Sequence, residues 1–251
     1  MTTNDQMEGV ILAGGRGTRL RPLTDSLNKH LLDVGGRRML SYPLEAMKHM
    51  GIVRVTVVTC CEDVAGFEDY VVADAVTEGM QVVVVGQAEP RGIADALLAA
   101  EESVQADRMC VMLGDQLVGY DLHEVGQRFL ATGDGAMVLL KPVPDPQRFG
   151  VAHVEAEQVV GITEKPEQPA SNLAVTGIYF YDRRAFGFCR EIELSERGEL
   201  EVTDVNCCYI KFGEMRWEML DGWWADVGTL DSLQYARRMV EQYGANTFRE
   251  G

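Results

Sequence analysis

Residues 10–29, VILAGGRGTRLRPLTDSLNK, constrain this chain more than any other stretch. Val10, Ile11 and Leu12 run without a polar break into Ala13, Gly14, Gly15, Arg16, Gly17, Thr18 and Arg19. Such a run reads as a strand buried on both faces that breaks into a glycine-rich loop. Glycines have no Cβ, so successive N–H groups can converge on an anion, while Thr18, Arg19 and later Lys29 add a hydroxyl and two positive charges. Phosphate is the guest this chemistry fits. A Walker A loop fails on spacing, because Gly17 is followed by Thr18 and Arg19 rather than by Lys and Ser or Thr; a dinucleotide fingerprint fails because Leu20 stands where Gly or Ala is needed. A purely structural turn is the other alternative, but it has no use for Arg16, Arg19, Arg21 and Lys29 together.

The clustering of cations is the more telling because the whole chain carries a formal net charge of -16 over 251 residues. That excess repels nucleic acid, which needs a basic face, and is read as a solvated surface. With 46% hydrophobic and 25% charged residues the chain can bury a core of its own. The six cysteines, Cys60, Cys61, Cys110, Cys189, Cys207 and Cys208, lack zinc-ligand spacing and are expected to be reduced and structural. No charged-then-apolar leader precedes Met7, and no apolar run approaches the ~18 residues of a membrane span, so a cytoplasmic location is expected.

Downstream, the pattern alternates. A helix over 41–50 with Ser41 as its N-cap is followed by a buried strand at 53–59, a helical stretch at 64–78 and a third buried strand at 81–85. Gly92 opens an alanine-rich helix, 109–113 is a fourth strand ending in Gly114 and Asp115, and a helix at 121–131 leads to a strand at 136–141. This rhythm predicts an α/β fold of Rossmann-like type: an open mixed, mostly parallel sheet with helices on both faces. After Pro142, Pro144 and Pro146 the rhythm gives way to short strands at 150–154, 159–164 and 174–181, a hairpin-rich portion, then helices at 183–193, 199–212 and 230–243 with a short strand near 216–220. Ligands of such sheets bind beyond the carboxyl ends of the strands, where the glycine loop, Gln87, Asp115 and Asp226 fall.

Asp115 in LGDQ and Asp226 in WADVGT follow apolar strand-like residues, and a hard carboxylate pair suits Mg²⁺, which completes its shell with water and phosphate oxygens. Asp115 alone could equally be a turn former. Lys165, in ITEKP, cannot continue into a helix because Pro166 follows; its ammonium, with Arg197 of RGELE, could hold a second phosphate, although a surface Lys-Pro turn reads the same way.

The segments GVILAGGRGTRLRPLT, NKHLL, PRGIADAL, LGDQ, RFGVAHVE, ITEKP, SNLAVTGIYFYD, RGELEVTDVN and WADVGT, in that order, resemble the motifs of the sugar-nucleotide pyrophosphorylases, and among them the glucose-1-phosphate thymidylyltransferases. The resemblance runs from about residue 8 to 233. It implies a nucleotide-diphospho-sugar transferase fold in a single unit over 1–251, with a nucleotide-binding portion at about 8–141, a sugar-phosphate-binding portion at about 142–233 and a C-terminal helix and tail at 234–251. It implies condensation of a nucleoside triphosphate with a sugar 1-phosphate and release of pyrophosphate, with dTTP ahead of UTP and CTP, glucose 1-phosphate as the default acceptor and Mg²⁺ as cofactor. Carried over residue by residue, Leu12, Gly14, Gly15, Gly17 and Thr18 line the nucleotide and its triphosphate, Gly92 lets the protein backbone approach the nucleotide and Gln87 reads its base. Arg19 and Lys29 neutralise developing charge, and Asp115 and Asp226 hold the metal. Gly150, Glu164, Val175 and Trp224 are placed at the sugar, with Lys165 and Arg197 at its phosphate.

This chain departs from the family pattern at three places that bear on substrate choice. His30 follows Lys29 where Gln is common, Gln116 stands where Asn is usual beside the sugar, and His153 stands where Glu follows the RFGV element. The extra methylene of Gln116 is read here as a change at a sugar contact. The chain also stops soon after its last helix, without the C-terminal extension tied in longer relatives to a regulatory site and tetramer contacts, so a homo-oligomer stays open. Two rival functions share the glycine loop: a cytidylyltransferase of a non-sugar phosphate, which would have little need of Glu164, Lys165 and RGELEVTD, and a catalytically silent sugar-nucleotide sensor, which would have lost the charged ligands retained here.

Overall fold

A computed structural model describes residues 7–247; the stretch ahead of Met7 that was read for a leader, and 248–251 of the expected tail, lie outside the described residues. The elements run β1 (Met7–Leu12), β2 (Asp33–Val34), β3 (Arg37–Arg38), α1 (Ser41–His49), β4 (Arg54–Cys60), α2 (Val64–Ala73), β5 (Gln81–Gln87), α3 (Ile93–Ala99), β6 (Arg108–Leu113) and β7 (Gln116–Val118). They continue with α4 (His123–Ala131), β8 (Ala136–Pro142), β9 (Gly150–Glu155), β10 (Gln158–Glu164), β11 (Leu173–Asp182), α5 (Arg184–Glu191), α6 (Val202–Lys211), β12 (Met215–Met219), β13 (Trp224–Asp226) and α7 (Leu230–Tyr243).

One mixed sheet of nine strands carries the molecule, in the order β10-β9-β11-β6-β1-β4-β5, with β8 joined to β11 and β12 to β8. β6, β1, β4 and β5 are parallel to their neighbours, while β11 enters antiparallel beside β6 and also pairs with β8. The apolar run at the head of the chain does what its pattern requires. Val10 and Leu12 face a core built with Leu97 of α3, Phe186 of α5 and Val205 of α6, while Ile11 faces the opposite core with Leu44 of α1, Phe67 of α2 and Phe129 of α4. Alternate residues of one strand thus enter two cores, which is why no polar residue interrupts Val10–Leu12.

A third core sits under α7, whose Leu233 and Ala236 pack with Leu20, Val34, Tyr42, Leu117, Ala225 and Val227. Leu117 and Ala225 belong to the two-stranded ribbon β7–β13, so this core fixes the ribbon beside the main sheet. The start of α7 is set by a capping box in which Thr229 accepts from the Ser232 backbone and Ser232 returns to the Thr229 N–H. The chain beyond α7 pairs with the ribbon again, Asn246 N–H donating to Val118 O at 2.9 Å and Thr247 N–H to Gly119 O at 3.0 Å.

Two local expectations are corrected. The strand at 81–85 is not buried on both faces: β5 is the outer strand, paired only with β4, and its Gln81 and Val83 are exposed. Ser41 is not an N-cap but the first residue of α1, behind Leu40; its hydroxyl donates to Asp74 Oδ2 at 2.7 Å, tying α1 to the end of α2. The hairpin-rich stretch resolves into the β9–β10 hairpin followed by β11, which returns through the middle of the sheet. The six cysteines are free, and Cys61 is exposed. Among the described residues no helix is long and apolar enough to cross a membrane.

Candidate active site

The glycine loop begins where the sheet lets go. Ala13 N–H still donates to Val58 O at 2.6 Å, and the chain leaves the sheet at Gly14. The next glycines are required by Lys29 as much as by any ligand: a Cβ at Gly15 would lie 2.9 Å from Lys29 Cε, and one at Gly17, whose φ is +61°, 2.8 Å from Lys29 Cβ. The loop is therefore wound around the stem of Lys29 and aims its ammonium at Asp115, with which it forms an ion pair. Asp115 follows β6, the neighbour of β1, and Gly114 N–H donates to Leu12 O at 2.9 Å, so both strands end at one place.

The second carboxylate arrives on the ribbon. In the β7–β13 ladder Asp226 stands opposite Gln116. The Gln116 amide nitrogen donates to Asp115 Oδ1 at 2.9 Å and to Asp226 Oδ1 at 3.0 Å, and Gln116 Oε1 accepts from Trp224 Nε1 at 2.8 Å. Burial alone would push the Asp115 carboxyl up, but the adjacent Lys29 outweighs it and holds Asp115 below the usual carboxylate range. Asp226 forms no ion pair among the described residues: burial, then the charge of Asp115, push it up against the weaker pull of Lys29, Gln116 and Arg148. Two carboxylates converging on one amide with a surplus of negative charge fit a hard divalent cation, and a pair is as many protein ligands as Mg²⁺ usually takes. Among the described residues no group of three or more His, Cys, Asp or Glu could hold a metal ion.

His30 is buried beneath this floor. Burial, and then Lys29 beside it, lower its imidazole to about 3, so it is neutral. Its Nδ1 is 2.8 Å from Asn28 Oδ1, and a Cβ at Gly114 would meet its Cδ2 at 2.8 Å.

Two adjoining cavities open onto these groups. The first, about 270 Å³, is lined by Leu12, Gly14, Gly15, Lys29, Gln87, Gly92 and Asp115 from the expected nucleotide set, together with His30, Pro90, Ile93, Ala96, Leu113 and Glu199. Gln87 donates through Nε2 to Asp95 Oδ2 at 2.7 Å, and its Oε1 is turned toward Gly14. Gly17 and Thr18 are not in this lining; Gly17 precedes the Thr18–Leu20 turn, and Thr18 is exposed. The second cavity, about 520 Å³, brings together Arg19, Gly150, Glu164, Lys165, Val175, Arg197, Trp224 and Asp226, along with Gln116, Arg148, Phe149, Gly177, Tyr179 and Thr203. A break in register between Val175 and Tyr179 of β11, with Gly177 at φ +73°, turns this stretch toward the cavity. A third cleft, about 620 Å³, lies against the same Phe149, Trp224 and Arg148 and extends to Trp223 and Tyr235.

The acceptor-side cations are held by carboxylates. Arg197 lies 3.5 Å from Glu164, 3.2 Å from Glu199 and 3.2 Å from Glu201, and Lys165 lies 3.4 Å from Glu164. Glu164 also accepts from Thr203 Oγ1 at 2.7 Å, and a Cβ at Gly150 would stand 3.3 Å from both those atoms. Gly92, at φ +110°, admits the chain's own backbone: a Cβ there would lie 2.5 Å from Leu200 O. Leu200 N–H donates to Arg91 O at 2.7 Å and Ala94 N–H to Leu200 O at 3.1 Å. Ile93 and Leu113, which line both cavities, and Glu199 were not singled out from sequence; the first two read as core residues, and the signal for Glu199 was its place in RGELE beside Arg197.

The Nucleotidyl transferase family profile matches residues 8–243. A glucose-1-phosphate thymidylyltransferase of Neisseria meningitidis is 39% identical over 239 residues, 94% of this chain and 83% of that protein. One from Mycolicibacterium smegmatis is 36% identical over 238 residues, 93% of this chain and 82% of that protein. A Bacillus anthracis crystal structure described as a glucose-1-phosphate thymidylyltransferase in complex with a sucrose superposes with a TM-score of 0.88 at 39% identity, covering 98% of both chains. A UDP-glucose pyrophosphorylase complexed with UDP-glucose shares the fold, with a TM-score of 0.85 at 21% identity over 94% of this chain and 99% of that one. With a glycine loop wound on Lys29, a carboxylate pair at the ends of β6 and β13, and this match over nearly its whole length, the chain belongs to the Nucleotidyl transferase family.

Proposed function

We propose that this protein joins a nucleoside triphosphate, with dTTP the first choice, to a sugar 1-phosphate, with glucose 1-phosphate the default, giving a nucleoside diphosphate sugar and pyrophosphate. The observation that carries the proposal is the juxtaposition of two cavities, one bordered by Lys29 and the other by Arg19, Arg148, Lys165 and Arg197, with Asp115 lining the first, Asp226 the second, and a single amide touching both carboxylates.

In this reading a non-bridging oxygen of the sugar phosphate attacks the α-phosphorus of the nucleotide in line. The new P–O bond forms as the bond from the α-phosphorus to the β-bridging oxygen breaks, and pyrophosphate leaves with that electron pair. No general base is needed, because a phosphate monoester with a second pKa of about 6 is already mostly dianionic at neutral pH. Catalysis then consists of holding two mutually repelling anions in line and neutralising charge. Lys29 acts on the triphosphate, joined by Arg19 from the second cavity, where it lies near Gly228 and Asp226, and Lys165 and Arg197 hold the acceptor phosphate, their positive charge offsetting the repulsion between the substrates. Asp115 and Asp226 would hold Mg²⁺, which when bound supplies further charge neutralisation at the phosphate oxygens. Gln87, its amide nitrogen anchored on Asp95 and its Oε1 turned toward Gly14, is oriented to accept from the imide N–H of thymine or uracil. His30 is buried and neutral, a filler beneath the loop that offers no amide edge to a base.

The test is pyrophosphate release with Mg²⁺ across a matrix of nucleoside triphosphates and sugar 1-phosphates. Turnover strongest with dTTP and glucose 1-phosphate is expected. Turnover only with another pair would overturn the substrate assignment, and none with any pair would overturn the enzymatic one.

A further inference from the structure

Gln116 lines the second cavity, and its extra methylene reads at first as a change at a sugar contact. Its hydrogen bonds say otherwise. The side chain is buried at 2% exposure, and both amide N–H groups are spent on carboxylates, Asp115 Oδ1 at 2.9 Å and Asp226 Oδ1 at 3.0 Å. The carbonyl accepts from Trp224 Nε1 at 2.8 Å. The orientation of the amide is forced by its neighbour: an indole N–H can only donate, so the Gln116 oxygen must face Trp224 and its nitrogen the two carboxylates.

We infer that Gln116 is a positioning residue for the divalent cation: anchored by Trp224, it holds the Asp115 and Asp226 carboxylates at a fixed separation. Both N–H groups being taken, it has none left for a sugar hydroxyl. The two carboxylates come from separate elements, Asp115 after β6 and Asp226 at the end of β13, and they repel each other; Asp115 is held by Lys29, so without a shared donor Asp226 is free to swing away from it. Gln116 opposes Asp226 in the ribbon ladder and is bonded to Asp115 as its chain neighbour, so its side chain alone spans the pair. Partners that orient metal ligands in this way set affinity through geometry rather than through contact with the ion.

This inference rests on Asp115 and Asp226 being the cation ligands, and its test separates the two. Mn²⁺ would be titrated into metal-free protein and the free ion read by electron paramagnetic resonance, for the wild type, Gln116→Met, Trp224→Phe and Asp226→Asn. Gln116→Met keeps the length and volume but removes the hydrogen bonds; Trp224→Phe keeps an aromatic ring on the side of Phe149, which lies 5.2 Å from Trp224 between centroids, and removes the indole N–H anchor together with part of the ring. Gln116→Met should weaken Mn²⁺ binding by about tenfold to a hundredfold, Trp224→Phe should shift it the same way by less, and the ranking of sugar 1-phosphates by kcat/KM should not change in Gln116→Met. Wild-type Mn²⁺ affinity in Gln116→Met, or a reordered sugar ranking with unchanged Mn²⁺ affinity, would overturn the positioning role. Equal Mn²⁺ binding by wild type and Asp226→Asn would instead overturn the ligand assignment beneath it.

Discussion

Lys29 and Asp115 form an ion pair in which each side chain is only 12% exposed, and replacing Lys29 by Met tests what that pair does. The substitution keeps the aliphatic stem that fills the space under Gly15 and Gly17 and removes only the charge. It leaves Asp115 as a buried carboxylate without its cation and repelled by a second carboxylate, Asp226. Breaking a buried pair from one side costs about 3–5 kcal/mol, because the remaining charge keeps its desolvation penalty without its partner. For a chain of this size that corresponds to a fall in Tm of roughly 10 °C. The double variant Lys29→Met/Asp115→Asn removes the stranded charge, so it should recover most of that loss while staying inactive. Calorimetry of metal-free wild type, single and double variants at pH 7 measures this, with pyrophosphate release as the activity readout. If Lys29→Met melts with the wild type, or the double variant is less stable than the single one, Lys29 does not neutralise Asp115 in the folded protein.

Three further outcomes are expected. Asp226 is raised by burial and by Asp115, and an acid raised on folding opposes stability above its unfolded value near about 4; Asp226→Asn should therefore stabilise metal-free protein at pH 7, with the gap closing as pH falls in denaturant titrations, while kcat drops about a hundredfold or more. His30 is lowered from 6.5 to about 3, so the unfolded chain takes up a proton that the folded one refuses, and stability conferred by the neutral ring above 6.5 is lost as pH falls toward 3. That contribution has a slope of ~1.4 kcal/mol per pH unit, and His30→Gln should flatten it in urea melts across pH 6.5 to 4. Gly92→Ala forces a Cβ to within 2.5 Å of Leu200 O at φ +110° and should cost about 2–3 kcal/mol or more, raising KM for both substrates in steady-state assays; unchanged KM values would show that the 199–201 segment does not shape the cavities.

The parallel half of the fold was readable because its signals are local. Val10, Ile11 and Leu12 are apolar since both faces of β1 are covered, and the β-branched residues of β4 and the central residues of β6 follow for the same reason. β5 carries the same valines yet lies at the sheet edge, where neighbours rather than composition decide exposure; nothing in QVVVVGQ distinguishes an edge from a centre. The ribbon escaped notice because β7 and β13 have three residues each, too few to show a period, and pair over 100 positions apart. Ser41 has the chemistry of a cap but is claimed by Asp74 from another helix. At the site, charged residues were legible by type and motif. The role of Gln116 was not, since it depends on three partners, two of them on a strand that sequence pattern does not reveal.

The junction of Gly92 with Leu200 has a thermodynamic corollary. Glu199 lines the first cavity while Arg197, ion-paired with both Glu199 and Glu201, lines the second, and this short segment is pinned to Arg91 and Ala94 by backbone hydrogen bonds on both sides of Gly92. An anion that draws Arg197 away from its carboxylates changes the charge felt by a wall of the other cavity. Any free energy by which one ligand improves the fit of the other must then appear, equal in size, when the order of addition is reversed. Measured dissociation constants for the two substrates, each taken alone and with the other bound, form a closed cycle, and the factor by which one ligand changes the other's constant is the coupling this segment can carry.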